Sequence, residues 1–386
     1  MQRITVKPRD DWQATAEAHG FRFHSPENDT YWDETACYQF SLKQIENDIE
    51  DPTEEIEKLC FEVVDRATND EAVLRRLGIP EAFWEYVTDS WRNQERNLYG
   101  RLDFSYDGKG PAKLFEYNAD TPTSLYESSI FQWVWLEEAI ERGIVPEASD
   151  QFNSIHEALT SAFPEMQIPG TLHFACCKDS DEDEGTIEYL ADCARQAGLE
   201  TRLIYMEDIG IDAQGRFTDL QDTFISDLFK LYPWEWIMAE DFGKQVPKCG
   251  VKFIEPGWKA ILSNKGLLPL LWEMFEGHPN LLPAYFESDP ASKTLNGTYV
   301  RKPLLSREGA NIEIYERNTC TMRVGGEYGA EGHIIQALHH LPNFDGNFPM
   351  VGSWLVASQP TGICIREDKT LVTGDDARFI PHIILD

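Results

Sequence analysis

The sequence predicts a mixed α/β (α+β) chain built in several layers, and three observations carry that prediction. The first quarter shows helical patterning, the stretch from about 170 to 255 alternates strand-like with helix-like segments, and beyond residue 298 strand patterning dominates. At 386 residues the chain exceeds the usual size of one hydrophobic core, which points to a single compact unit of subdomains around a cleft. Approximate divisions are 1–100, a helical support; 101–150, a hairpin and a helix; 151–255, an α/β layer; and 256–386, strands with a glycine loop. No internal repeat, low-complexity segment or long linker separates them.

Taken in order, the first well-marked element is "DPTEEIEKLCFEVVDRA". Asp51 is the expected N-cap and Pro52 falls in the first turn, with Ile56, Leu59, Cys60, Val63 and Ala67 on one stripe. A second amphipathic run follows Pro80. Both read as supports for a cleft rather than as carriers of chemistry.

The stretch "YGRLDFSYDGKGPAKLFEYNADTPTSLYE", residues 99 to 127, reads as a hairpin running into a helix. With a loop from Asp107 to Ala112 and Tyr106 facing Lys113, Asp103 lies opposite Glu116 and Arg101 opposite Asn118, all on one face. Leu102, Phe104, Phe115 and Tyr117 take the other face. Opposed carboxylates repel, so one is protonated or a cation sits between them. Two carboxylates and an amide oxygen form a hard donor set suited to Mg²⁺. Downstream, Ser124 and Glu127 form a capping box, and Leu125, Ser129, Trp133, Leu136 and Ile140 form a stripe before Gly143. The mouth of that helix, with Thr121 and Thr123, suits a carboxylate or phosphate, and Arg101 is available to a bound acid.

The α/β layer follows, with "TLHFACC" as strand, "EGTIEYLADCARQAG" as helix and "ETRLIYMEDIG" as strand. The acidic run "KDSDEDEG", 178 to 185, is a candidate for holding an incoming amine, although such runs are more often solvated loops. Next, "EPGWKAILSNKGLLPLLWEMF" carries Lys259 and Lys265. Six residues correspond to about 600° of helical rotation, so the two diverge unless Ser263 and Asn264 break the helix; Lys265 is preferred over Lys259 as the one that approaches a nucleotide.

In "TYVRKPLL" Lys302 shares a face with Val300 and Leu304, and an ammonium among apolar neighbours needs an anion. The loop Ser306, Arg307, Glu308 and Gly309 then returns the chain, with Gly309 letting backbone N–H groups converge on a phosphate. It is neither GxxxxGK[ST] nor GxGxxG. The remaining strands are "NIEIYE", "HIIQAL", "SWLVAS" and "TGICIRE". The last places Arg366 with Cys364, and a surface ion pair to Glu367 or Asp368 is the ordinary alternative for that arginine.

Composition restricts the partners. Lys plus Arg number 34 against 67 Asp plus Glu, a formal charge of −33, which repels phosphate backbones and anionic membranes. Neither nucleic acid nor a membrane is expected, no apolar run approaches the ~20 residues of a span, and a cytoplasmic location is expected. The eight cysteines show no CxxC spacing, so neither a zinc site nor a disulfide framework is indicated. Cys193 reads as a core thiol rather than a nucleophile.

Five ordered blocks, "RLD" at 101 to 103, "EYNADTPTS" at 116 to 124, "WKAILSNKGLLPLLW" at 258 to 272, "VRKPLLSREGANI" at 300 to 312 and "GICIRED" at 362 to 368, resemble the synthetase domain of the glutathionylspermidine synthetase family. The likeness is strongest to its short stand-alone members, described as acid–amine ligases. It implies an ATP-grasp-like fold with ATP and magnesium, two ions, in a cleft between subdomains. It implies that Asp103, Glu116 and Asn118 ligate magnesium and that Arg101, Thr121 and Thr123 bind the acid. It further implies that Lys265, Lys302, the loop Ser306 to Gly309 and Gln336 serve ATP, and that Arg366 stabilises the intermediate. The activity implied is ATP-dependent joining of a small, peptide-like acid to an amine such as a polyamine. Two other readings stay open: a regulatory homologue that binds ATP and metal without turnover, and a glycosidase using Asp103 and Glu116.

Overall fold

The computed structural model describes residues 1–26, 29–178, 180–374 and 376–386. Its first long helical run starts earlier than Asp51. Ser41 caps Leu42–Ile45 in a capping box with Gln44, a π-helical stretch Glu46–Glu50 follows, and Asp51–Asn69 continues from it. Pro52 cannot donate to the carbonyl four residues back, and the widened turn just ahead of it absorbs that lost bond. Ile56, Cys60, Val63 and Ala67 are fully buried, as the stripe requires, while Leu59 packs at its margin.

Three sheets position the site. A parallel sheet orders Lys252–Ile254, Asp227–Lys230, Leu172–Cys176 and Thr201–Tyr205, with the helix Asp181–Gln196 crossing between the last two. A five-stranded sheet holds Ala284–Phe286, His333–Ala337, Tyr299–Pro303, Glu313–Glu316 and Thr319–Arg323. The central antiparallel sheet runs Arg378–Ile380, Gln359–Asp368, Phe348–Val356, Tyr99–Ser105 and Lys113–Asn118. The strand-rich C-terminal part is therefore divided. Its earlier strands form a sheet of their own, and its later ones complete the sheet that the hairpin begins.

The hairpin pairs Arg101 with Asn118, Leu102 with Tyr117 and Asp103 with Glu116, as its alternation predicts. A bulge then sets Phe104 against Leu114 and Ser105 against Lys113, so Tyr106 does not face Lys113. The extra residue is Phe115, which leaves the core face assigned to it. Leu114 is fully buried in its place, and the Phe115 ring lies 5.3 Å from the Lys302 ammonium. A bulge re-aims side chains in this way because two residues answer one across the ladder.

The helix after the hairpin also departs from expectation. Ser124 has φ of +67° and bonds its hydroxyl to Tyr31 Oη at 2.7 Å, so no capping box forms. A π-turn at Glu127–Phe131 precedes the regular helix Gln132–Glu141. That wide turn shifts the register of the residues after it, burying Trp135 and Leu136 while Trp133 stays 40 % exposed.

Candidate active site

Alternation along the first hairpin strand puts Arg101 and Asp103 on the same face, and both are buried. Arg101 Nε donates to Asp103 Oδ1 at 2.7 Å and its Nη2 to Oδ2 at 3.1 Å, while Nη1 reaches the Thr123 carbonyl at 2.6 Å. From the neighbouring strand pair Arg366 donates to Asp103 Oδ2 at 2.6 Å, not to Glu367 or Asp368. Asn118 Nδ2 approaches Asp103 Oδ2 at 2.9 Å and Glu116 Oε1 at 3.3 Å. Two arginines and an amide thus answer the repulsion between the facing acids. Both Asp103 oxygens are spent on these donors, which removes the footing of the glycosidase reading.

Glu116 has cations on its other side. Lys265 Nζ stands 3.1 Å from Glu116 Oε2 and donates to the Ser306 carbonyl at 2.7 Å. Burial alone would raise the Glu116 carboxyl, but Lys265, Lys302 and Arg366 outweigh it and hold it well below the usual carboxylate range. Lys302 donates to the Phe115 carbonyl at 2.9 Å. Burial pushes its ammonium down to about 8; Glu116 opposes that fall and Lys265 adds to it. Arg101 moves the other way, because Asp103 and Cys364 overcome the burial that would lower it.

Lys259 and Lys265 do part company. The helix breaks after Lys259–Leu262 and resumes at Leu267–Met274. Lys259 is fully buried, 3.6 Å from Glu255 and donating to the Tyr99 carbonyl at 3.0 Å, which makes it a core residue.

Two cavities meet at Glu116. One is mostly apolar, with Phe115, Val300, Ile314, Leu341 and Met350 around Lys302, Gly309 and Gln336. The other is polar, lined by Asn118, Thr121, Glu235, Lys265, Ser306 and Arg307. Gln336 donates to the Leu114 carbonyl at 3.2 Å. Arg307 points away from the apolar cavity, bonding Thr121 Oγ1 and standing 3.5 Å from Glu235. Glu308 is exposed at the loop tip. Gly309 has φ of +71°, and a Cβ there would lie 2.7 Å from Val372 and 3.0 Å from the Thr373 carbonyl, so only glycine lets the loop settle on that segment. Thr123 contributes its carbonyl to Arg101 rather than its hydroxyl. Of the acidic run 178 to 185, Asp179 lies outside the described residues; Asp181, Glu182 and Glu184 line a separate cavity with Glu127, Tyr126 and Tyr189.

Three contributors went unread in the sequence. Gly352 lies opposite Asp103, where a Cβ would meet Arg101 Cδ and Cys364 Sγ, each at 2.6 Å; its missing side chain is the space Arg101 occupies. Asp120 pairs with Lys230 at 2.6 Å and accepts the Trp234 N–H at 2.8 Å, all three residues being buried. Glu235 follows directly. The one available signal was Asp120, inside the same "EYNADTPTS" block as Glu116 and Asn118.

Among the described residues no group of three or more His, Cys, Asp or Glu is arranged to hold a metal. The set here is two carboxylates and an amide, a hard-oxygen arrangement that suits a magnesium ion keeping several waters. Glu116 is ionised and lines both cavities, which fits that use. Asn118 would have to turn its amide over to present oxygen.

A family model described as "Glutathionylspermidine synthase preATP-grasp" matches residues 3–385. A Haemophilus influenzae protein named "Putative acid--amine ligase" is 41% identical over 398 residues, covering 99% of this chain and 99% of its own length. Trypanothione synthetase of Crithidia fasciculata is 29% identical over 345 residues, 83% of this chain and 52% of its own length, so this chain spans about half of that relative. A solved structure of a glutathione synthetase-like effector from Globodera pallida, in apo form, matches with a TM-score of 0.56 at 10% identity, covering 90% of this chain and 89% of that one. The mixed α/β architecture is thus of glutathione synthetase-like type.

Proposed function

The chain belongs to the glutathionylspermidine synthase preATP-grasp family, and from that premise we propose that it is an ATP-dependent ligase joining a carboxylic acid to an amine through an acyl phosphate. The observation that carries this reading is the convergence of Arg101, Arg366, Lys265 and Lys302 on Asp103 and Glu116 where two unlike cavities meet. The apolar cavity suits a nucleotide base, with Gln336 at its wall and Lys302 and Lys265 toward the phosphates. The loop Ser306 to Gly309 covers them. The polar cavity suits the acid, with Thr121, Asn118 and Arg307 in its wall; Arg101 and Thr123 do not line it.

Transfer of a phosphoryl group to a carboxylate brings two anions together, and preset cations reduce that cost without reorganising during the reaction. Arg101, with Nε and Nη2 on Asp103 and Nη1 on the Thr123 carbonyl, would reach the acid by exchanging one of those bonds for it, and Lys302 and Lys265 hold the phosphates in line. Arg366 then steadies the oxyanion that forms when the amine adds. Asp103, Glu116 and Asn118 would hold magnesium, two ions, which when bound supplies positive charge to the phosphate oxygens.

The test is ADP release with ATP and Mg²⁺ while small peptides and amino acids, glutathione among them, are screened against polyamines and simpler amines. Release that needs both acid and amine, with the amide found by mass spectrometry, supports the ligase. Tight ATP binding without either product refutes it and leaves a regulatory homologue. Glu116→Gln should abolish the Mg²⁺-dependent part of the thermal stabilisation by ATP.

A further inference from the structure

We propose that Glu255 and Lys259 are positioning residues that together grip the backbone of Leu98 and Tyr99, and so fix the strand carrying Arg101 and Asp103 relative to the lysines of the ATP side. This rests on the ligase reading above and adds to it what keeps the two sides of the site in register.

The grip stands where a strand is missing. Tyr99 to Phe104 pair with the strand Phe348–Val356, but on the other side the ladder to Lys113–Asn118 ends where Arg101 faces Asn118. The chain then turns away, and Asp120 goes to Lys230 and to the Trp234 N–H. Tyr99 is fully buried with no strand beside it there, and a buried peptide group without a partner is costly. Glu255 supplies the acceptor: its Oε1 takes the Tyr99 N–H at 3.0 Å and the Leu98 N–H at 3.1 Å. Lys259 supplies the donor, its Nζ bonding the Tyr99 carbonyl at 3.0 Å.

Lys259 reaches the second strand as well. Its ammonium lies 5.4 Å from the Tyr117 ring, within cation–π range. That ring lies over Gly100, where a Cβ would come within 2.8 Å of it. Tyr117 sits between Glu116 and Asn118. One lysine therefore holds the strand of Arg101 and Asp103 by a carbonyl and the strand of Glu116 and Asn118 by a ring.

The same segment carries the ATP side. Glu255 follows the strand Lys252–Ile254 of the parallel sheet, and its own carbonyl accepts from Trp234 Nε1 at 3.2 Å. Trp258 donates its Nε1 to the Glu95 carbonyl at 2.9 Å, which seats Lys259. Beyond the helix break the Lys265 N–H bonds the Leu304 carbonyl at 2.9 Å, and its ammonium meets Glu116. The chain from Glu255 to Lys265 thus runs from the backbone just ahead of Arg101 to the carboxylate between the two cavities.

Stability does not account for the pair. Glu255 and Lys259 are fully buried and 3.6 Å apart. Taking both charges out of water offsets their attraction, so apolar residues of similar volume serve a core as well. Apolar residues cannot bond the Tyr99 peptide groups. Glu57, the other acid acting on Lys259, is buried with no hydrogen-bond partner on either oxygen, and burial raises its carboxyl. It is the neutral member of the three and leaves the ammonium to Glu255 and Tyr99.

Two uncharged double variants separate the grip from the charge. Glu255→Gln with Lys259→Met keeps an oxygen for the two N–H groups, whereas Glu255→Leu with Lys259→Met keeps none. Amide hydrogen exchange, read by mass spectrometry without nucleotide or metal, should be about tenfold faster over residues 98–103 in the leucine variant. Exchange over the helix Asp51–Asn69 should stay as in the unaltered protein, which shows the fold intact. Hydroxylamine traps acyl phosphates as hydroxamates, so ATP, Mg²⁺ and a panel of glutathione and amino acids test the ligase reading alone. In that assay the leucine variant should lose about 10²-fold in kcat with KM for ATP within about twofold, and the glutamine variant should lose about tenfold less. If the leucine variant does not fold, Lys259→Met alone, which frees the Tyr99 carbonyl and the Tyr117 ring, takes its place. Unchanged exchange over 98–103, wild-type kcat in a folded leucine variant, or equal losses in the two double variants overturns the proposal and spares the ligase. Absence of hydroxamate from the unaltered protein overturns the ligase reading and the catalytic part of this one, while exchange still decides whether the grip exists.

Discussion

Lys302 is predicted to take up a proton when ATP binds at mildly alkaline pH. Its ammonium is buried and pushed from 10.5 to about 8. At pH 8 roughly half of the free protein therefore carries a neutral Lys302, and at pH 7 roughly a tenth. A polyphosphate beside it restores the charge, so binding should draw in about 0.5 proton at pH 8 and about 0.1 at pH 7. Calorimetry of metal-free ATP binding in two buffers of different ionisation enthalpy reads this directly. Lys302→Arg keeps a permanent charge and should bind ATP with the lysine's share of the uptake gone. Uptake at pH 8 that matches pH 7, or that persists in Lys302→Arg, would refute the placement of Lys302 against the phosphates. Stability carries the same sign. A lysine whose pKa falls from 10.5 to about 8 on folding costs about 3 kcal/mol below pH 8, and that penalty fades as pH rises through 8 toward 10.5.

Gly352→Ala should displace Arg101 from Asp103, destabilising the fold by about 1–3 kcal/mol in urea titrations and raising KM for the acid more than for ATP. Lys230→Met leaves Asp120 buried without its cation and should cost about 3–5 kcal/mol, read as a lower denaturation midpoint at unchanged slope. Arg366→Met should lower the rate of amide formation by about 10²–10³ while the protein still binds ATP with wild-type affinity in a filter assay.

Local pattern carried the hairpin because one face had to be buried. Leu102 and Tyr117 against the core fix which side Asp103 and Glu116 take, and a slip of one residue would invert both. The bulge at Phe115 was not legible, because the alternation in "KLFEYN" carries no sign of an extra residue. Helix starts misled where a proline stood in for a boundary. Pro52 follows a π-turn inside a continuing helical run, and Ser124 looked like a cap yet bonds Tyr31, far away in sequence. The partners of Arg366 were equally out of reach. Its sequence neighbours Glu367 and Asp368 are acidic, but alternation turns it toward Asp103, while Glu367 meets Arg3 and Arg378. The Lys259 and Lys265 choice could be narrowed by helical angle alone, and the break after Leu262 settles which one is spent in the core.

Because Tyr99–Ser105 lies between Lys113–Asn118 and Phe348–Val356 in the central sheet, the clasp on Asp103 cannot exist while the ribosome is still making residues 348–368. Until then a nascent hairpin displays an unpaired edge and a carboxylate lacking one of its arginines. Such late, distant pairing slows folding and leaves sticky intermediates. Production in cells should therefore respond to chaperone supply and lower growth temperature.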